Sequence, residues 1–165
     1  MDANEIMSRP GLLKLYKGKG AASFSLISPQ YDDRGFMSKH GAILLEVAPS
    51  VGKQEWDWNQ KMKFAISIAD ICSLADPNPD KRRIYHEHND TPKTLEFREG
   101  EGAYAGTFMM TLSEGKGASR KSFSVPLTGG EFRVLMGLFS STVPLLLGWT
   151  DNAMEGQVRQ RSNYN

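Results

Sequence analysis

Lysines and small residues lie side by side near the N-terminus, over Lys17-Gly18-Lys19-Gly20-Ala21-Ala22. Small residues let a backbone approach a ligand closely, and glycine within a strand often marks such an approach. The two ammonium groups beside the glycines indicate that the ligand would be an anion. Lysines also protect the edge strands of sheets against aggregation, and on this stretch alone a solvated edge strand is the simpler explanation.

Aromatic and basic side chains alternate along several predicted strands. The members of this set are Tyr16 with Lys17 and Lys19; Trp56 and Trp58 with Lys61 and Lys63; Arg82 and Arg83 with Tyr85; and Lys93 with Phe97 and Arg98. Bases stack on aromatic rings while phosphates pair with lysine and arginine, which is how proteins hold single nucleic-acid strands without reading their sequence. At least half of the aromatic residues are nevertheless expected in the core, as large apolar residues usually are.

Catalytic and metal-binding patterns are weak by comparison. The sequence has no phosphate-binding loop, dinucleotide fingerprint or nucleophile elbow. A metal-dependent or small-ligand enzyme would have to use His86, His88 and Asp57, and this is the least favoured function. Surface histidines and a turn-capping aspartate explain these residues more simply. We therefore predict no catalytic residue, no metal and no cofactor.

The composition fits a single globular domain. The chain has 165 residues, a formal net charge of +1, 39% hydrophobic residues and 24% charged residues. The low net charge argues against a nucleic-acid binder that relies on electrostatics alone. The single cysteine, Cys72, excludes an intramolecular disulfide, and its place on the apolar stripe of a predicted helix indicates a core residue. No apolar run reaches the length of a membrane span, so no membrane partner is expected.

Residues 1–12 are predicted to be a flexible lead-in, residues 13–149 one nucleic-acid-binding domain, and residues 150–165 a polar, mobile tail. The first nine residues are polar and show neither a secretory nor a transit-peptide pattern. The protein is therefore expected to be cytosolic, or to have a targeting segment that this chain does not contain.

Alternating apolar and polar residues predict strands joined by turns. Strands are expected over residues 13–27 with a break at Gly18 and Gly20, and over 36–37, 41–48, 61–66, 83–88, 94–98, 105–113 and 121–127, with a turn at 49–53. Ser67 is the predicted N-cap of a short helix that buries Ile68, Ile71, Cys72 and Ala75. Thr128 and Glu131 form a predicted capping box for a longer helix that ends or kinks at Pro144. The order predicts an α+β fold with two antiparallel four-stranded sheets, each followed by a helix, or ββββα twice.

The second helix and the residues after it are apolar on nearly every side, over residues 134–149. Such a segment must be buried in a larger core or between subunits, and we favour subunits. The residues expected to hold the subunits together are Leu135, Phe139, Leu146, Leu147 and Trp149.

Five motifs, in one order from about residue 16 to residue 149, resemble the plant Whirly family of single-stranded DNA-binding proteins. The first motif, Lys17 to Ala22, is similar to the family's lysine-glycine-lysine-alanine-alanine-leucine signature, with Gly20 for the first alanine and Ala22 for the leucine. The other four are Trp56-Asp57-Trp58 with Lys61 and Lys63-Phe64-Ala65; Tyr85-His86-Glu87; Val125-Pro126-Leu127-Thr128 with Glu131-Phe132 and Val134-Leu135; and Pro144 with Leu147-Gly148-Trp149.

The resemblance implies a homotetramer, with room for higher-order assembly, that is held by its helical regions with the sheets radiating like blades. It implies binding of single-stranded DNA along sheet edges and between subunits, with little sequence preference. It places such proteins in plastids, mitochondria and the nucleus, in genome maintenance, DNA repair and transcription regulation.

The alternating pattern and the resemblance together predict ten nucleic-acid-binding residues. They are Lys17, Lys19, Ser23, Trp58, Lys61, Lys63, Arg82, Arg83, Tyr85 and Lys93. Lys17 and Lys19 would contact the strand or support assembly, and Trp58, Lys61 and Lys63 would line the groove. Trypanosome mitochondrial proteins that anneal guide RNA use the same fold, so an RNA-binding and annealing protein is the alternative.

Overall fold

The structure, a computed structural model, describes residues 12–149 and has an α+β architecture with antiparallel sheets and two α-helices. The predicted tail, and the predicted lead-in apart from residue 12, lie outside the described residues. Neither α-helix of the described part combines the length and hydrophobicity that crossing a membrane requires.

The first sheet comes from the N-terminal half and is antiparallel throughout. Its strands are β1 (Leu13–Tyr16), β2 (Gly20–Ile27), β5 (Ala42–Gly52), β6 (Glu55–Trp56) and β7 (Met62–Ile66), while β3 (Gln30–Tyr31) and β4 (Met37–Lys39) form a separate ribbon. The predicted break at the two glycines is confirmed, because the chain turns there with the Lys17 amide donating to the Gly20 carbonyl at 3.0 Å.

Two features of this half differ from the prediction. The short strands β3 and β6 come in addition to the strands that we predicted, while β4 overlaps the short strand expected over residues 36–37. The predicted turn over residues 49–53 is wrong, because β5 continues through Pro49 to Gly52. Pro49 is tolerated there because it supplies only an acceptor, and its carbonyl receives the Asp57 amide at 3.0 Å.

The second sheet comes from the C-terminal half and follows the predicted order of four strands before a helix. Its strands are β8 (Arg83–His88), β9 (Thr91–Glu99), β10 (Phe108–Glu114) and β11 (Lys121–Leu127), in the spatial order β11-β10-β9-β8. Each neighbouring pair is antiparallel, as alternating sequences joined by short turns require.

Both helices, α1 (Ile68–Ala75) and α2 (Gly129–Leu146), begin at capping boxes, which confirms the predicted N-termini. Cys72 and Ala75 were predicted to be buried, and both predictions are wrong. The buried positions of α1 are Asp70, Ile71 and Leu74, and a stripe with this spacing turns Cys72 towards solvent.

One hydrophobic core joins the two sheets and α2. The ring centres of Phe24 and Phe139 are 5.7 Å apart, which links the first sheet to α2. The Phe132 ring of α2 stacks on Phe108 at 3.8 Å, which links α2 to the second sheet. The inner faces of both sheets contribute to the same cluster of buried residues.

The core corrects part of the predicted assembly surface. Leu135, Phe139 and Leu146 are each only 1% exposed within the single chain, so a second copy has no access to them in this structure. Leu147 is half-buried and Trp149 is 62% exposed. The other apolar residues that α2 leaves exposed are Val134, Leu138 and Leu145. Sequence periodicity could not separate the two faces because both are apolar.

Candidate nucleic-acid interface

Four residues of the first sheet form a row across its outer face. Lys14 of β1 pairs with Ser23 of β2, Ser23 with Glu46 of β5, and Glu46 with Lys63 of β7. Directly opposed residues of an antiparallel sheet lie on the same face. The neighbouring row contains the core residue Phe24, so successive side chains alternate and the row from Lys14 to Lys63 faces outward.

Lysine ammonium groups and an indole ring meet at this row. The Lys61 Nζ lies 2.8 Å from Oε1 of Glu46, and the Lys63 Nζ lies 3.7 Å from the same oxygen. The Lys14 Nζ lies 5.9 Å from the centre of the Trp58 ring, within the range of a cation–π interaction. We call the six residues of this surface the lysine face; they are Lys14, Ser23, Glu46, Trp58, Lys61 and Lys63.

A short 3-10 helix (Trp58–Gln60) carries Trp58 between β6 and β7. The Asp57 carboxylate caps this helix by accepting the Asn59 amide at 2.9 Å. The Trp58 ring is half-buried, so part of it is available to a stacked base. Asp57 therefore caps a turn, which is the simpler of the two explanations that the sequence analysis gave for it.

Ser23 lies in the row but is only 4% exposed. A ligand on the lysine face has no access to the Ser23 side chain in this structure, so its predicted contact with nucleic acid is corrected. Small size is the property that this position needs, because Ser23 lies between Lys14 and Glu46 on adjacent strands.

The lysine-glycine stretch has a structural explanation. A Cβ on Gly20 would lie 2.9 Å from the Ser124 carbonyl of β11 and 3.1 Å from the Ala48 carbonyl, so the close approach is made by the second sheet and not by a ligand. The Lys17 Nζ lies 2.6 Å from Oε1 of Glu131, and the Lys17 carbonyl accepts the Trp56 indole N–H at 2.9 Å. Lys19 is exposed.

The Glu131 carboxylate serves both the α2 capping box and Lys17. Partial burial acts to raise the pKa of Glu131, but the hydrogen bonds from Lys17 and from the Thr128 amide outweigh it and leave that pKa below its usual value. Lys17 therefore fixes the hairpin against the start of α2.

Arg82 and Lys93 also hold the fold together. The Arg82 guanidinium lies over Phe108 and Phe132, at 5.4 and 5.3 Å from the ring centres, and its side chain is 18% exposed. The Lys93 Nζ donates to the Lys63 carbonyl at 3.1 Å, which ties the second sheet to β7.

Arg83 and Tyr85 are exposed on the outer face of the second sheet. The Tyr85 hydroxyl donates to Glu87, and this hydrogen bond raises the pKa of Tyr85. The structure thus places Lys61 and Lys63 at the Glu46 carboxylate and Trp58 beside Lys14 of the same row, whereas Arg83 and Tyr85 lie on a different sheet.

The histidines take separate roles. The His86 ring stacks on Phe64 at 4.4 Å, and its Nε2 lies 3.0 Å from Oδ2 of Asp70, which also accepts the Ser67 hydroxyl at 2.7 Å. His86 therefore connects β8 to β7 and α1, while His88 is exposed. Within residues 12–149, no three His, Cys, Asp or Glu side chains are arranged to hold a metal ion.

Lys14 and Glu46 belong to the lysine face, and neither was predicted from the sequence as a candidate binding residue. The alternation of Leu13, Lys14 and Leu15 is the sequence signal from which the outward orientation of Lys14 can be found. Its position opposite Ser23, and that of Glu46 opposite Lys63, depends on the pairing register, which alternation within one strand does not specify.

The sequence matches a family model described as the Whirly transcription factor over residues 15–138. The chloroplastic single-stranded DNA-binding protein WHY1 of Arabidopsis thaliana is 29% identical over 147 residues, covering 82% of this chain and 56% of that protein. The mitochondrial single-stranded DNA-binding protein WHY2 of the same organism is 25% identical over 156 residues, covering 87% of this chain and 65% of that protein. The matched part is thus only a little over half the length of WHY1.

The fold is similar to solved structures as well. The crystal structure of Arabidopsis WHY1 superposes with a TM-score of 0.76 at 26% identity, and 94% of each chain is covered. The trypanosome MRP1/MRP2 structure has a TM-score of 0.52 at 9% identity, covers 88% of this chain and 92% of that one, and shows similarity of fold alone. Because the family model spans residues 15–138, most of the sequence, the chain belongs to the Whirly family.

Proposed function

We propose that this chain binds single-stranded DNA without catalysis and with little sequence preference, through the lysine face. The observation that carries the proposal is that one outer sheet face has both Trp58, with Lys14 over its ring, and the two lysines Lys61 and Lys63 at Glu46. The relatives WHY1 and WHY2, which are named single-stranded DNA-binding proteins, support it.

The chemistry of the lysine face explains how a chain with a net charge of +1 can bind a polyanion. Two ammonium groups pair with the Glu46 carboxylate and a third lies over Trp58, so the local charge is more positive than the average. Phosphates pair with the ammonium groups, and a base stacked on Trp58 contributes roughly 1–3 kcal/mol whatever its identity. Stacking and phosphate contacts carry little base information, which accounts for the low sequence preference.

We also propose that copies of the chain assemble as a homotetramer through the exposed apolar side of α2 and the residues after it. Val134 is 65% exposed, Leu145 is 44% exposed and Trp149 is 62% exposed, although all three are apolar. Large apolar side chains left exposed along one helix and at its end are typical of interfaces. Val134→Asp should lower the assembled mass in light scattering, whereas Ser140→Asp on the same helix should leave it unchanged; an unchanged mass in both contradicts this interface.

The proposed location is an organelle, either chloroplast or mitochondrion, where the protein would act in genome maintenance or transcription. The names of WHY1 and WHY2, chloroplastic and mitochondrial, support this location. Imaging of the full-length protein with a fluorescent tag tests it, and a signal confined to the cytosol would contradict it.

The binding proposal is tested by fluorescence anisotropy with one labelled sequence as single-stranded DNA, as RNA and as duplex, across a salt series. Tighter binding to the single DNA strand than to the duplex is expected. Preference for RNA would support the annealing alternative, and absence of binding to all three at low salt would overturn the function. Single-strand affinity should fall with salt by a slope of roughly 0.7 for each phosphate contact.

A further inference from the structure

We infer that Glu46 is a built-in counter-ion that makes the lysine face select strands with accessible bases over other polyanions. The inference rests on the proposed function and assigns a selectivity role to a residue within the same surface. It follows from the position of Glu46, from its two ion pairs and from the presence of Trp58 on the same face.

Glu46 is the least accessible charged side chain of the three that form its ion pairs. The Glu46 side chain is 19% exposed, compared with 32% for Lys61 and 59% for Lys63. Its Oε1 lies between the two ammonium groups, at 2.8 and 3.7 Å. The sheet register holds it opposite Ser23 on one side and Lys63 on the other, so the carboxylate is fixed at the centre of the face.

The carboxylate reduces what a phosphate gains by binding. A phosphate that approaches Lys61 or Lys63 must compete with an oxygen that already neutralises them, and it also meets the repulsion of the carboxylate. A partly shielded pair is less screened by salt than an exposed one, so this opposition persists at physiological ionic strength.

The carboxylate leaves stacking on Trp58 unaffected. A strand with accessible bases therefore keeps the stacking contribution and tolerates the weakened phosphate contacts. A duplex, whose bases are already stacked on each other, or a sulfated polysaccharide, which has no bases, depends on the ion pairs alone. A duplex carries about twice the charge per unit length of one of its strands, so the carboxylate opposes its binding more strongly. Glu46 thus lowers the affinity for all polyanions and lowers it most for those of high charge density, which are also those that cannot stack.

The test is Glu46→Gln, which keeps the shape of the side chain and removes its charge. Binding is measured for a single DNA strand, for the duplex of the same sequence and for heparin, each across a salt series. We expect the ratio of single-strand to duplex affinity to fall roughly fivefold, the size of one partly shielded ion pair. The single-strand salt slope should steepen by about 0.7 for each lysine released.

A matched control is Glu96→Gln, which makes the same charge change on the outer face of the second sheet. Glu96 also holds a basic partner, with its Oε1 3.2 Å from Arg98. We expect this variant to leave the affinity ratio unchanged. An equal fall of the ratio in both variants would mean that net charge matters and the position of Glu46 does not, which overturns the inference.

The outcomes separate the inference from the function on which it rests. If the unaltered protein does not bind the single strand, the proposed function fails. If it binds and Glu46→Gln changes thermal stability but not the affinity ratio, Glu46 is a structural ion-pair partner and the inference fails. If Glu46→Gln does not fold, the same measurements on Glu46→Thr decide, since threonine is favoured in strands.

Discussion

The outer faces of the two sheets have similar backbones but differ in chemistry along one matched row of residues. On the first, the row Lys14, Ser23, Glu46 and Lys63 carries charge across four strands. On the second, the matching row is Tyr85, Thr94, Ser113 and Ser122, where hydroxyl groups predominate. Two four-strand antiparallel arrangements in one chain thus present different surfaces, which teaches that the side chains on a fold, and not its topology, decide where a ligand binds.

The hydroxyl groups of the second face bond to one another. The Ser113 and Ser122 Oγ atoms are 2.7 Å apart, and the Thr111 and Ser124 hydroxyl oxygens are 2.9 Å apart. Hydroxyl groups that are already hydrogen-bonded to one another are weaker partners for a phosphate than ammonium groups are. The comparison predicts that binding depends on the first face and is nearly indifferent to the second.

The largest expected effect on binding comes from Trp58→Ala. Loss of the stacking surface should weaken single-strand binding by about 1–3 kcal/mol, which is roughly 5- to 150-fold. Tyr85→Ala removes an exposed aromatic ring from the second face and should change affinity less than about twofold. Anisotropy titrations measure both, and a larger loss from Tyr85→Ala would reverse the comparison.

The close packing of the two sheets at Gly20 can be tested by measuring the stability of variants. Gly20→Ala places a Cβ 2.9 Å from the Ser124 carbonyl, and forcing the sheets apart should cost about 1–3 kcal/mol in the free energy of unfolding. Gly18→Ala is the matched control, since a Cβ there meets nothing within 4 Å. Urea denaturation measures the two variants; equal stabilities would remove the close-packing explanation of the signature.

The charge difference between the faces should show in salt dependence. Lys61→Gln combined with Lys63→Gln should reduce the salt slope of single-strand binding by less than about 1.4, since each full phosphate contact accounts for roughly 0.7 and Glu46 already offsets part of both. Arg83→Gln on the second face should leave the slope unchanged. A slope that falls only in Arg83→Gln would move the phosphate path to the second sheet.

The smallest expected effect concerns the Lys17–Glu131 pair outside both faces. Because the folded pKa of Glu131 is lowered, the pair stabilises the protein above the usual glutamate pKa, and this stabilisation is lost as the pH falls through the folded pKa. Glu131→Gln should be less stable than the unaltered protein at neutral pH, with a difference that shrinks in acid. Urea denaturation at several pH values checks this, and a pH-independent difference would contradict it.

Local patterns were sufficient to predict most of the elements. The alternation in residues 83–88 and 121–127 matches β8 and β11, and both helices begin at the N-caps that the sequence predicted. These features depend on residues close together in the chain, so a single sequence contains the information.

Contacts between distant residues account for what the sequence could not reveal. Lys17 was predicted to lie beside an anionic ligand, but its partner is the carboxylate of Glu131, which is 114 residues away in the sequence. Gly20 was predicted to let a ligand approach the backbone closely, but the group that approaches it is a backbone carbonyl of the other sheet. The buried side of α2 was predicted to be its interface, because periodicity alone cannot tell which of two apolar faces meets the chain's own core.

The width of the first sheet limits the length of single-stranded nucleic acid that one chain can contact. Four strands at roughly 4.8 Å spacing make the row from Lys14 to Lys63 about 14 Å long. A row of that length spans only a few nucleotides, so one chain contacts a short stretch of nucleic acid. A longer binding site therefore requires several chains bound side by side. Occupied length on a long strand should therefore grow in steps, each the contribution of one added chain.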